Sequence, residues 1–209
     1  MKKILLTLIA LVLTSASVFA QTPAEIINKM DEVMQQHDTK SGLAMTMEMK
    51  IFIIGTVSSR VMTYGDKIRV EAGAGDKHII SWIDGDTEHE YNVEEKVIKI
   101  KRRDTSKPSK EKENMGMFKS ATDGYDVTLT KETDDAWYFH CKKSRSNPKK
   151  DDPKNMDLVV AKGTYMPKSL STKVTGITIT MRDLDYNVTE KDVTFNPADY
   201  PGVKIVDER

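Results

Sequence analysis

The chain has 209 residues, 32 basic and 32 acidic side chains, no net charge and one cysteine. That balance gives no electrostatic basis for nucleic-acid binding, and a lone cysteine excludes an internal disulfide. The length suffices for one domain with a substantial core.

The first residues read as a targeting segment. Met1-Lys2-Lys3 is a basic start, Ile4 to Val12 is apolar apart from one threonine, and Val18-Phe19-Ala20 ends in a small residue. This layout predicts a signal peptide, residues 1–20, cut after Ala20. The apolar run is too short for a membrane span. A retained anchor helix is the other reading. We expect the remainder, residues 21–209, to be one exported domain in the periplasm of a double-membraned bacterium.

Thr22-Pro23-Ala24-Glu25 predicts a helix start, with threonine as cap, proline in the first turn and a glutamate three residues after the cap. Ile26, Ile27, Met30, Val33 and Met34 follow at helical spacing. Ser41 to Ile54 then alternates. Leu43, Met45, Met47, Met49, Ile51 and Ile53 fall on one face, and Ala44, Thr46, Glu48 and Lys50 on the other. Period two predicts a strand with one dry face. Methionine suits a surface that must accept irregular apolar partners. An adaptable hollow and an ordinary sheet interior both remain open.

Hairpins follow at short spacing. Strands are expected at Thr56–Tyr64, Lys67–Glu71, His78–Ile83 with Trp82, Thr87–Val93 and Val97–Arg102. A turn is expected over Ala72–Asp76. Arg103 to Asn114 is charged and lacks apolar residues, and the apolar cluster Met115, Met117 and Phe118 follows. This order suggests a lid, with a short surface helix as the alternative. Strands are then expected at Tyr125–Lys131, Ala136–Lys142, Met156–Ala161, Leu170–Thr175, Ile177–Asp185 and Lys191–Phe195, with Pro167 in a turn. Such strands argue for an antiparallel sheet that coils.

No catalytic or metal-binding set emerges. The four histidines have no ligand spacing. His140 and Cys141 adjoin, but neighbours in a strand point to opposite faces; Cys141 reads as a small buried apolar residue. No phosphate loop or nucleophile elbow appears. The expectation is a binding protein, not an enzyme, without cofactor or metal.

Two stretches carry a family resemblance. The tail Val193-Thr194-Phe195-Asn196-Pro197-Ala198-Asp199-Tyr200-Pro201-Gly202-Val203, closing on Lys204-Ile205-Val206-Asp207, resembles the end of LolA-type outer-membrane lipoprotein carriers. Trp82 to Ile100 looks like that family's Asp-Gly turn, aromatic residue and basic-ended strand, and the order of elements is similar too. The resemblance implies a mainly β fold with a few helices. Its sheet is a curved, incompletely closed antiparallel half-barrel, capped by helices and holding acyl chains in its hollow.

We therefore expect a lipid-binding hollow formed by Leu43, Met45, Met47, Met49, Ile51 and Trp82, with Met115, Met117 and Phe118 in the lid. The partners implied are acylated lipoproteins or another lipid. An inner-membrane release complex and an outer-membrane acceptor are further candidates, and a monomer is expected. A related sheet domain that senses stray lipoproteins or regulates envelope stress is the alternative; an exported enzyme is a third. The chain departs from the family at one point. Where those carriers have a basic residue and proline ahead of the third strand, it reads Tyr64-Gly65-Asp66, with Lys67 and Arg69 nearby.

Overall fold

A computed structural model describes residues 21–37, 42–53, 55–74, 77–103, 122–147, 152–174 and 176–209. The helix α1, Pro23–His37, begins as its sequence predicts. The Glu25 carboxylate accepts the Thr22 amide at 2.8 Å, and Thr22 Oγ1 accepts the Glu25 amide at 3.3 Å. Two of the otherwise orphaned first-turn donors are thus satisfied reciprocally.

Twelve strands form one sheet: β1 Gly42–Ile51, β2 Gly55–Tyr64, β3 Lys67–Ala74, β4 Lys77–Asp84, β5 Thr87–Asn92, β6 Val97–Arg102, β7 Tyr125–Glu132, β8 Ala136–Lys143, β9 Asn155–Ala161, β10 Pro167–Val174, β11 Ile177–Val188 and β12 Lys204–Asp207. Their order is β12-β6-β5-β4-β3-β2-β1-β11-β10-β9-β8-β7, so the sheet is open, with β12 and β7 at its edges. The meanders β1–β6 and β7–β11 meet at the antiparallel pairing of β1 with β11. β12 lies parallel to β6.

The structure corrects several predicted elements. The first strand stops at Ile51, and Phe52 and Ile53 stand in the hairpin tip. The glycines and alanines after Glu71 do not end β3, which runs on to Ala74 because Ala72 and Gly73 complete its ladder with β4. Pro167 opens β10, the strand position at which a missing amide matters least. Lys191–Phe195 is not a strand. Glu190–Val193 forms a helical turn, α2, because the Asp192 carboxylate accepts both the amide (2.8 Å) and the hydroxyl (2.6 Å) of Thr189. A 3-10 turn, Pro197–Asp199, follows.

The core lies between α1 and one sheet face. Ile26, Ile27, Met30 and Met34 share a contiguous apolar cluster with Met45, Val61, Ile68 and Ile83 on one side, and with Phe139, Cys141, Leu158, Val160, Leu170 and Met181 on the other. These residues come from eight neighbouring strands, which laid flat would span about 34 Å. A helix is only about 10 Å across. A shared core therefore requires the sheet to curl around α1, making the helix-bearing face the concave one. The opposite face carries a smaller cluster of Ala44, Met62, Val188 and Val193 beneath α2.

Candidate lipid-binding hollow

The methionine stripe of β1 passes from sealed to open along its length. Met45 is 0% exposed under α1, Met47 is half-buried against the same core, and Met49 is 37% exposed. At the two ends, Leu43 and Ile51 are half-buried. Cross-strand pairing extends the open end sideways. Met49 faces Ile179 on β11 and Val57 on β2, Ile51 faces Ile177, and Val174 on β10 faces Ile177 as well. Ile79 on β4 lies on this face one strand beyond β3, opposite Ala72. Met49, Ile79 and Val174 all remain exposed. The concave face is thus a closed core at one end and an uncovered apolar floor at the other, among the described residues.

Beyond β4 the same face turns ionic. Lys101 Nζ lies 2.7 Å from a Glu90 carboxylate oxygen, and Arg103 approaches Glu88 at 4.0 Å. The Glu90 partnership holds the Lys101 ammonium above its ordinary pKa. These pairs bound the apolar floor on one side.

Trp82 is not part of this floor, which corrects the expectation. Ile83 points to the α1 core, so its neighbour Trp82 faces the other way. It is 3% exposed beneath the segment after β11, packing at ring-centroid distances of 5.3 Å from Phe195 and 5.5 Å from Tyr200. His89 stacks on Phe195 at 4.3 Å, and burial lowers its imidazole pKa. Lys67 and Arg69 serve the same convex clasp. Lys67 bonds Glu190 at 2.8 Å, and Arg69 donates to the Asp192 carbonyl at 3.2 Å while lying over the Trp82 ring. The two basic residues that follow Tyr64-Gly65-Asp66 therefore tie down the segment after β11, on the face away from α1. Met115, Met117 and Phe118 lie outside the described residues, as does the segment 1–20.

Cys141 is fully buried in the core, where desolvation pushes its thiol up to about 11. His140 points to the other face, with Nδ1 2.8 Å from Asp157. The two are adjacent in sequence and make no dyad.

Sequence reasoning missed Val57, Ile79, Val174, Ile177 and Ile179 as floor residues. The alternation of Ile177, Ile179 and Met181 was the available signal. What it lacked was the pairing that sets this strand beside β1.

Among the described residues, one carboxylate is partly buried without compensation. Asp31, on α1, has a buried Oδ1 with no hydrogen-bond partner among the described residues. Burial, with Asp123 nearby, raises its pKa. A carboxyl raised in the folded state favours folding while protonated. Its contribution is therefore lost as pH climbs from the unfolded value, 3.8, through the folded one. Asp31→Asn is expected to stabilise the protein at pH 7 by under about 1 kcal/mol, given the partial exposure of the group. The gain should shrink toward pH 4, as urea melts at both pH values would reveal.

The fold and this floor define a class: an open antiparallel half-barrel wrapped around a helix, with an apolar hollow. The lipoprotein LppX of Mycobacterium tuberculosis has a similar structure, with a TM-score of 0.51 over 83% of this chain and all of that one, at 9% identity. That likeness concerns the fold alone. Also matched are an uncharacterized conserved protein of Thermus thermophilus (TM-score 0.43, 14% identity, 90% of this chain and 100% of that one) and a LolA superfamily protein of Nitrosomonas europaea (0.31, 13%, 84% and 99%). No family model and no curated protein sequence matches the chain.

Proposed function

We propose that the chain is an exported carrier that shelters the acyl chains of a lipoprotein, or of a related lipid, in the concave hollow while they cross the periplasm. The observation that carries this reading is the gradient along β1, from sealed Met45 to exposed Met49. A core that served packing alone would bury its whole stripe. The apolar floor here continues past the packed part, as a site for hydrocarbon requires.

The energetics fit. Each methylene withdrawn from water contributes about 0.8 kcal/mol, so a chain of about sixteen carbons leaves water at a gain on the order of 10 kcal/mol. A carrier must match much of that and still release. Unbranched methionine offers contact without demanding one shape. In this reading residues 1–20 are the leader that directs export, and residues 21–209 are the carrier.

The test is mass spectrometry of lipid extracted from the protein as isolated from the cell envelope, with titration of a fluorescent long-chain acyl probe. Bound acyl lipid is expected, displaced by the probe. Met49→Glu should weaken probe binding at least about tenfold. A protein free of lipid that ignores the probe would defeat the carrier reading.

A further inference from the structure

The β1–β2 hairpin ends in two large apolar side chains with almost nothing against them: Phe52 is 96% exposed and Ile53 is 91% exposed. Hairpin tips ordinarily hold small or polar turn residues. Single exposed apolar residues are normal on a protein surface, but an adjoining pair at a projecting tip is not. The tip also continues the open end of the hollow, because Ile51 and Met49 lead directly into it.

Three lysines stand at the same end of the sheet. On the convex face Lys50 and Lys173 flank Thr178 from the two neighbouring strands, and Lys77 opens β4 at the same end of the sheet. None of the three has an ion-pair partner among the described residues. Elsewhere Lys67, Lys101, Lys162, Lys168 and Arg182 each meet a carboxylate. At the opposite end of the sheet the turns hold Asp66, Asp84, Asp86, Asp134 and Asp135. The tip end thus presents three lysines without ion-pair partners among the described residues, with the acidic turn Glu94–Glu95 farther along the same rim, between β5 and β6.

From this we infer that the Phe52–Ile53 tip inserts into a bilayer carrying anionic headgroups, with Lys50, Lys77 and Lys173 at the phosphate level. Insertion brings the mouth of the hollow against the acyl layer. A hydrocarbon chain then passes between protein and membrane without crossing water. Membrane contact stands on the tip itself; its use for loading or release rests on the carrier reading above.

The experiment is flotation of residues 21–209, which contain every described element, with phosphatidylcholine vesicles that contain or lack phosphatidylglycerol. Wild-type protein is expected to float with the anionic vesicles. Phe52→Ser with Ile53→Ser should lower partitioning about a hundredfold, the worth of two inserted apolar side chains. Lys50→Gln with Lys173→Gln should lower it about thirtyfold at low salt, and the difference should vanish at high salt. These positions are exposed, so the urea midpoint and acyl-probe binding in solution should stay at wild-type values.

Wild-type protein that ignores anionic vesicles, or a tip variant that floats unchanged, would overturn the inference. A wild-type dimer in sedimentation that the tip variant loses, with no vesicle binding, would assign the tip to a second copy and overturn it too. Normal flotation without probe binding would keep the membrane contact and remove the carrier reading.

Discussion

Met45→Glu is expected to abolish the cooperative fold, whereas Met49→Glu, four residues along the same strand face, should leave it nearly intact. Met45 is fully buried under α1, within a cluster that includes Ile26, Met30, Val61 and Met181. A carboxylate there has no partner and no water, and such burial belongs to the mechanisms that cost above about 4 kcal/mol. Met49 is more than a third exposed, so solvent reaches its substituent and the loss should stay within about 1 kcal/mol. Urea denaturation of the two variants decides the matter. Equal losses would mean that the stripe is uniform, and the distinction between core and hollow would fall.

Gly42→Ala should cost about 3 kcal/mol, near the upper part of the range for overpacking. Gly42 opens β1 where its register against β11 is irregular, wedged between two backbones. A Cβ there would come within 2.5 Å of the Val188 carbonyl oxygen and 2.7 Å of the Thr63 carbonyl oxygen. Neither neighbour is a flexible side-chain end, so strands on both sides would have to part. Gly73→Ala is the control, since its Cβ would meet nothing closer than the Lys77 carbonyl oxygen at 3.7 Å. The urea midpoint should fall sharply for the first variant and hardly move for the second. A similar, small change in both would mean that the seam yields easily.

What the sequence revealed was mostly local. The reciprocal bonds of Thr22 and Glu25, the dry face of β1 and the inward Cys141 follow from spacings of two to four residues, which any observer can count. Trp82 was misplaced because β4 is apolar on both faces. Ile83 belongs to the α1 core, and Trp82 is covered by Phe195 and Tyr200, which come from far along the chain. Alternation cannot rank two buried faces. Lys191–Phe195 failed for the opposite reason: a local signal was present and was outweighed. Thr189 and Asp192 stand at the spacing of a helix cap, a signal that the strand expected at Lys191–Phe195 left unused. The floor of the hollow depends on β1 lying beside β11, a pairing that no local window contains.

That same pairing has a consequence for how the molecule is born. The middle of the sheet joins residues 42–51 to residues 177–188, and among the described residues the outer flank of β6 is covered only by residues 204–207. A ribosome releasing the chain in order has made β1 to β6 long before either partner exists. Until then those strands have one bare margin at β1 and another at β6, and most of the sheet residues that enclose α1 are missing. Completion must wait for almost the whole polypeptide. A nascent chain that cannot close until its last strands are made stays loose throughout synthesis, the state that the export proposed above would need.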